Sequence, residues 1–284
     1  MDYLDHIVEL REDDMVPPTA GIITKGEAHF LKPIHHAQSL NVPTLPPISF
    51  PRNFDPKHPP DFLKASLMNW LCFHYYWKSW VHRMAVLHQD TWKIAGIYEA
   101  ILSSTYRIPK DNGLLYALVE RWRLETNSFL FPWAEATLTL EDTLSLGGYS
   151  ALGLSVSSSM ELEELNMLEN DLNNVRLELT RTKDRKATIF AWFTRFSNSS
   201  ADFEHEAFLT YWLTRFVFPN KSDAIRRCIF PLAIQLSKGI KIALGPAVLE
   251  MIYWDLRVWK AAMVSLNQPR KGVKLTMSSP FHLI

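Results

Sequence analysis

The chain reads as mainly α-helical, a single compact helical domain with a small central β-hairpin and an extended proline-rich arm in front of it. Three observations predict this. Apolar residues recur at helical spacing from Asp61 onward. Between Leu118 and Leu146 the pattern changes from helix to two short β-type runs and back to helix. Ten of the seventeen prolines lie before residue 61, and each pushes the residue before it toward extended backbone.

These signals divide the chain into an arm over 1–60 and a domain over 61–284. Phe62, Leu63, Leu67, Trp70, Leu71, Tyr75, Trp77, Val81 and Met84 surround their helix, or helix pair, so widely that it must be buried on more than one side. Asp90-Thr91 is read as the cap of a further helix reaching Ser104, with Ile94, Ile97, Tyr98, Ile101 and Leu102 on one core-facing stripe. Leu114, Leu115, Leu118, Val119 and Trp122 continue the helical spacing. SFLFPWAEATLT then reads as a hairpin, because Pro132 presets φ at the second position of a tight turn. Thr139 before Leu140-Glu141-Asp142 gives a hydroxyl cap with acids in the first turn, opening a helix with Leu140, Leu144 and Leu146 as its apolar residues and Gly147-Gly148 as its stop.

A polar linker at Ser155–Ser159 leads into a charged helix, the two together spanning about 155–187. From Met160 to Lys186, Leu162, Leu165, Leu168, Leu172, Val175 and Leu179 recur every three or four residues, with acids first and Arg181, Lys183, Arg185 and Lys186 last, which predicts a long solvent-bridging helix. Asp202 is read as capping Phe203–Val217, with Pro219 as its stop. Asp223 is read as opening Ala224–Lys238, stopped by Gly239, with Pro231 either kinking that helix or marking its true start. Pro246 at a first-turn position opens Ala247–Ala262.

Composition narrows the function classes. With 284 residues, 47% hydrophobic content, Trp 10, Phe 16 and Tyr 9, the chain can bury a large aromatic core. Lys+Arg 30 against Asp+Glu 30 gives a formal charge of zero, so no overall field draws it to nucleic acid or to anionic membrane. Cys72 and Cys228 both sit in apolar runs and read as buried thiols of a reducing compartment. The start MDYLDHIVELREDD lacks the features of a secretory signal, and no run reaches the roughly 18 apolar residues of a membrane span. A soluble intracellular protein is the expectation.

The string ERWRLETNSFLFPWAEATLTLED closely resembles the signature of the plant mobile domain, the "aminotransferase-like" family of plant proteins and plant transposable elements. DTWKIAGIYEAILSSTYRI, FEHEAFLTYWLTRFVFP, FPLAIQLSKGIKIALGPAVLEMIYWDL and VKLTMSSPFHLI are similar to further family segments in the family's order. Ala134 stands where the family usually has Gly, a mild departure because a type I turn does not need glycine there. The family pattern continues past Ile284, so the resemblance implies a C-terminally shortened member. Ile252, Leu256 and Trp259 are then expected to lack part of their cover, and exposed apolar surface promotes association.

The candidate chemistry is sparse. A pyridoxal phosphate lysine needs a pocket that holds the cofactor's phosphate and ring nitrogen. Lys93, Lys238 and Lys241 have no glycine-rich phosphate loop beside them, so no cofactor is expected and aminotransferase activity finds no support. His74, His82 and His88 are spaced by eight and six, whereas ligands on one helix face need three or four; no metal site is expected. Glu125, Glu135, Glu141 and Asp142 cluster in the signature, but turn and first-turn positions account for them without catalysis. Arg121 and Arg123, on either side of Trp122, are candidates to pair with those acids. The expected structural cluster is Arg121, Trp122, Glu125, Thr126, Phe129, Pro132, Glu135, Thr137, Thr139, Leu140 and Asp142. Basic runs at 181–186, Arg226-Arg227 and 269–274 read as solvated helix ends rather than a DNA-binding motif.

The resemblance implies a non-enzymatic nuclear protein-interaction factor, linked to transposable-element silencing, gene expression and meristem maintenance. It implies protein partners, such as a plant phosphoprotein phosphatase-like protein, with nucleic-acid contact indirect or weak and no membrane. The alternatives are a DNA-binding module, which a continuous basic face would favour, and a transposase-derived enzyme, which an acidic triad in one pocket would favour.

Overall fold

The structure, a computed structural model, describes residues 8–15, 24–31, 75–106, 112–131, 134–158, 163–181, 186–197, 199, 202–220 and 222–265. The run from Asp61 to His74, Cys72, Pro132, the basic residues 182–185 and the VKLTMSSPFHLI segment therefore lie outside the described residues. The chain divides into two compact units, Met1–Ser49 with Leu130–Ala136, and Phe50–Phe129 with Thr137–Ile284. In the first, β1 (Val8–Met15) pairs antiparallel with β2 (Thr24–Leu31), in register from Val8 opposite Leu31 to Met15 opposite Thr24. Proline spacing in the arm gave no hint of this hairpin.

The second unit holds the helices, nine among the described residues. The first, α1 (Tyr75–Ala95), runs straight through Asp90-Thr91, so the expected cap there is not used. The break falls at Gly96, whose φ of +73° suits glycine, and α2 (Tyr98–Ser103) follows. That left-handed residue changes the axis, and a stripe counted across it no longer marks one face. Ile97 and Ile101 are buried as expected, whereas Ile94 is 65% exposed.

Helix α3 (Asn112–Arg121) buries Leu115 and Val119 and exposes Leu114. It stops at Arg121, so Trp122 belongs to a strand rather than to the helical stripe. A small antiparallel sheet follows in the order β3 (Trp122–Arg123), β4 (Ser128–Leu130), β5 (Glu135–Ala136). Next, α4 (Leu140–Gly147) buries Thr143 and Gly147, while Leu140, Leu144 and Leu146 face outward, the reverse of the expected apolar face. The reason is close approach. Gly148, at φ +69°, packs so tightly that an added Cβ would lie 2.6 Å from the backbone nitrogen of Ala100, which sets the small side of α4 against α2.

Helix α5 (Glu163–Thr180) was expected to bridge solvent, yet Leu172 and Val175 are buried where it packs on α6 (Ile189–Phe196) and α8 (Phe230–Ser237). Thr188 caps α6 by accepting from the Ala191 N–H at 3.1 Å. Helix α7 (Glu204–Trp212) is entered from Phe203 with no side-chain cap, so Asp202 does not cap it, and it ends in a π-helical turn over Leu213–Val217. Asp223 likewise caps nothing: it sits in a turn at φ +50°, followed by a 3-10 turn over Arg227–Ile229. Pro231 then marks the true start of α8, in whose first turn its missing N–H costs no bond. Cys228 on the 3-10 turn is exposed rather than buried.

The last helix, α9 (Leu244–Ser265), starts two residues before Pro246, and Ile252, Leu256 and Trp259 on it are fully buried instead of lacking cover. At the centre of the unit Phe208 of α7 stacks on Trp77 (5.0 Å, 13°) and on Trp92 (5.3 Å, 10°) and meets Trp80 edge-on (5.1 Å, 87°). Every residue of α7 from Glu206 to Trp212 is buried. Among the described residues, no helix is long and apolar enough to cross a membrane.

The Gly96 break separates two isoleucines of the same apparent stripe. Ile101→Ala should lower unfolding free energy by about 2–4 kcal/mol through cavity formation. Ile94→Ala should change it by no more than about 0.5 kcal/mol. Denaturant melts of the two variants check this, and equal losses would show the stripe to be continuous after all.

Candidate functional site

Signature residues gather where β3, β4 and the start of α4 meet α9. Trp122 and Phe129 are opposite each other in the β3–β4 register, with ring centroids 4.9 Å apart, and Tyr253 of α9 closes on Trp122 at 5.4 Å. Trp122 is buried. The loop between the strands ends on Asn127, whose φ of +52° is a conformation that Asn tolerates better than most residues. Beside it the hydroxyls of Thr126 and Ser128 lie 2.5 Å apart.

Two hydroxyl protons here serve three contacts. Thr137 Oγ1 donates to the Asn127 carbonyl at 2.6 Å, Tyr253 OH donates to the Leu138 carbonyl at 2.5 Å, and the two hydroxyl oxygens lie 2.9 Å apart. This ties α9 to both ends of the hairpin region. Thr139 and Asp142 form a complete capping box: Thr139 N–H and Oγ1 donate to Asp142 Oδ2 at 2.7 and 2.8 Å, and the Asp142 N–H donates to Thr139 Oγ1 at 3.2 Å. Arg121 ends α3 half-buried, Glu125 is exposed in the loop, Glu135 is exposed on β5, and Leu140 opens α4 at the surface. Lys260 Nζ donates to the Glu120 carbonyl; burial lowers the Lys260 amine pKa and raises that of the Glu120 carboxyl.

A second polar constellation was not singled out in the sequence. It lies at the rim of the tryptophan core, where α7 opens with Glu204-His205-Glu206 against α1 and α8. Glu204 is buried, accepts from Trp80 Nε1 at 2.9 Å and pairs in two-pronged fashion with Arg83, whose Nη2 also donates to the Ser197 carbonyl at 2.7 Å. Trp92 Nε1 donates to His205 Nε2 at 2.8 Å, and the His205 ring stacks on His88 at 3.7 Å and 8°. Ser237 Oγ donates to Glu206 Oε1 at 2.8 Å. The available signal was three consecutive polar residues opening an otherwise apolar helical run.

Burial, then the adjacent His88, lowers the His205 pKa to about 3, so its ring stays neutral and keeps Nε2 as an acceptor. His88 is lowered too, first by burial, with Glu206 and Glu204 working in the opposite direction. Among the described residues, no group of three or more His, Cys, Asp or Glu side chains could hold a metal ion. An open groove of about 720 Å³ lies between α1 and α2.

A helical scaffold whose distinctive residues supply caps, turns and packing defines the class of this domain. The plant mobile domain profile matches residues 96–284, and the chain belongs to that family. It is 29% identical over 160 residues to a serine/threonine-protein phosphatase 7 long form homolog of Arabidopsis thaliana, covering 52% of this chain and 12% of that protein. It is also 44% identical over 57 residues to Protein MAINTENANCE OF MERISTEMS of the same plant, covering 20% of this chain and 12% of that one. With Arabidopsis Protein MAIN-LIKE 1 it shares 28% identity over 160 residues, 50% of this chain and 30% of the relative. The chain thus spans only a minor part of these curated relatives. No solved structure matches it.

The neutral His205 makes stability depend on pH. Between the unfolded value near 6.5 and the folded value of about 3, the unfolded chain binds a proton that the folded one excludes, so stability falls as pH drops. The loss attributable to His205 should reach up to about 2 kcal/mol between pH 7 and pH 5. Urea titrations of wild type and His205→Gln at both pH values check it. A variant as acid-sensitive as wild type would remove His205 as the cause.

Proposed function

We propose that this chain is a non-enzymatic nuclear protein-interaction module that takes part in transposable-element silencing, gene expression and meristem maintenance. Family membership carries the reading, and the name of one relative, MAINTENANCE OF MERISTEMS, supports the meristem part of it. The use of the signature side chains supports the non-enzymatic part. Asp142 closes a capping box, Trp122 packs in an aromatic cluster, and Thr137 ties a loop to α9. Each has a folding task that needs no substrate.

The partner we favour is a phosphoprotein phosphatase-like protein. A stretch like this one occurs in a relative named as a phosphatase 7 long form homolog, and domains found joined in one polypeptide are plausible partners when separate. Nucleic-acid contact would then be indirect.

Affinity purification of the tagged chain from nuclease-treated plant nuclei, followed by mass spectrometry, tests this. Enrichment of a phosphatase-class protein that survives nuclease treatment is expected. Recovery that depends wholly on DNA would transfer the reading to a DNA-binding module, and a substrate turned over by the purified chain would end the non-enzymatic one.

A further inference from the structure

Eight tryptophans lie among the described residues, and seven of them, Trp77, Trp80, Trp92, Trp122, Trp192, Trp212 and Trp259, are almost wholly buried. Trp254 is 66% exposed. It stands on the outer face of α9 beside a groove of about 560 Å³, whose apolar walls include Leu140 from the start of α4 and Leu249. An indole costs free energy when hydrated, and exposed aromatic anchors beside aliphatic walls are typical of binding surfaces.

Charge defines what fits there. Glu250, Trp254 and Arg257 follow one another at spacings of four and three, which places all three on one stripe of α9. Glu250 and Arg257 both line the groove, and neither is ion-paired among the described residues. Seven residues of helix put their positions ~10 Å apart along the axis. That is too far for them to neutralise each other and matches one turn, about three residues, of polyproline II chain, in which positions i and i+3 share a face. Arg257 Nη2 reaches the Leu124 carbonyl at 3.5 Å, a contact that leaves most of the guanidinium donors available.

Given a protein-binding role for the chain, we propose that this groove is a peptide-docking site. Its occupant is a segment in polyproline II conformation that lays an apolar side chain on Trp254, sets an acidic residue against Arg257 and, three positions away on the same face, a basic residue against Glu250. The acid and base fix register and direction, and the apolar contact supplies most of the affinity.

Random peptides displayed on phage, selected against the immobilised full chain, test the proposal. Enriched sequences should share an acid and a base three positions apart with an apolar residue between them. The synthetic consensus peptide should bind Trp254→Ala at least about tenfold more weakly. A chain carrying Glu250→Lys with Arg257→Glu should select the opposite charge order, and this variant also serves if Trp254→Ala fails to fold. No enrichment, a consensus without the pattern, or affinity unchanged by both variants would overturn it. The two readings fail separately: nuclear partners that bind wild type and Trp254→Ala equally well would remove the groove and leave the interaction role standing, whereas no partner for either chain would remove the role itself.

Discussion

Phe208 fixes much of the helical unit, because three tryptophans of α1 converge on it. Two stack on its ring and the third meets it edge-on, an arrangement that sets both the spacing and the rotation of α7 against α1. Indole nitrogens cannot be buried unpartnered without cost, so the polar rim follows from the core. The N–H of Trp80 requires an acceptor, which is Glu204, and that of Trp92 requires another, which is His205. Burying the Glu204 carboxylate then requires a cation, and Arg83 supplies it from one turn further along α1. A single packing choice thus accounts for Glu204 and His205 at the opening of α7, while Glu206 beside them accepts from Ser237 of α8.

The hairpin region is joined to this core through α9. One face of that helix buries Ile252, Leu256 and Trp259, while Tyr253, on a neighbouring face, reaches the carbonyl of Leu138 and the ring of Trp122. Strands β3 and β4 are paired at only two positions, Trp122 with Phe129 and Arg123 with Ser128, so their register leans on contacts from outside the sheet. Tyr253, packed on Trp122, and Thr137, bonded to the Asn127 carbonyl, hold the turn instead. Of the signature string, Thr126, Thr137, Thr139 and Asp142 form hydrogen bonds near this junction, and Trp122 and Phe129 pack there as rings.

Features that depend on a few neighbouring residues were legible in the sequence. The Thr139 cap, the Gly148 stop and the reading of Pro231 as a helix start all follow from local backbone chemistry, and the structure uses them. The helical class and the family followed as well, the latter from several blocks in order. Burial was harder to read, because it depends on which side an axis turns. Leu140, Leu144 and Leu146 look like a core stripe, yet the close approach of Gly148 to Ala100 puts small residues inside. Ile94 and Ile101 look equivalent until Gly96 is known to be left-handed. The acidic side chains Asp90, Asp202 and Asp223 resemble caps by composition, but a cap also needs free N–H groups at that point of the chain, and the helices begin elsewhere. The Glu204–Arg83 pair spans 121 positions, a separation that no local pattern reports.

The basic runs show how such long-range contacts bear on function. Lys186 Nζ donates to the Ser222 carbonyl, Arg226 Nη2 to the Phe218 carbonyl and Arg227 Nε to Glu169. These side chains organise the loop that leads into α8, and Glu169 offsets part of the local positive charge. With a formal net charge of zero, long-range attraction to a polyanion has little source in this chain. In the interaction role proposed above, recognition would rest on short-range fit. Leu144 and Leu146 on α4 and Trp254 on the outer face of α9 leave apolar area at the surface, and in the proposed docking groove that area, rather than net charge, would carry the affinity.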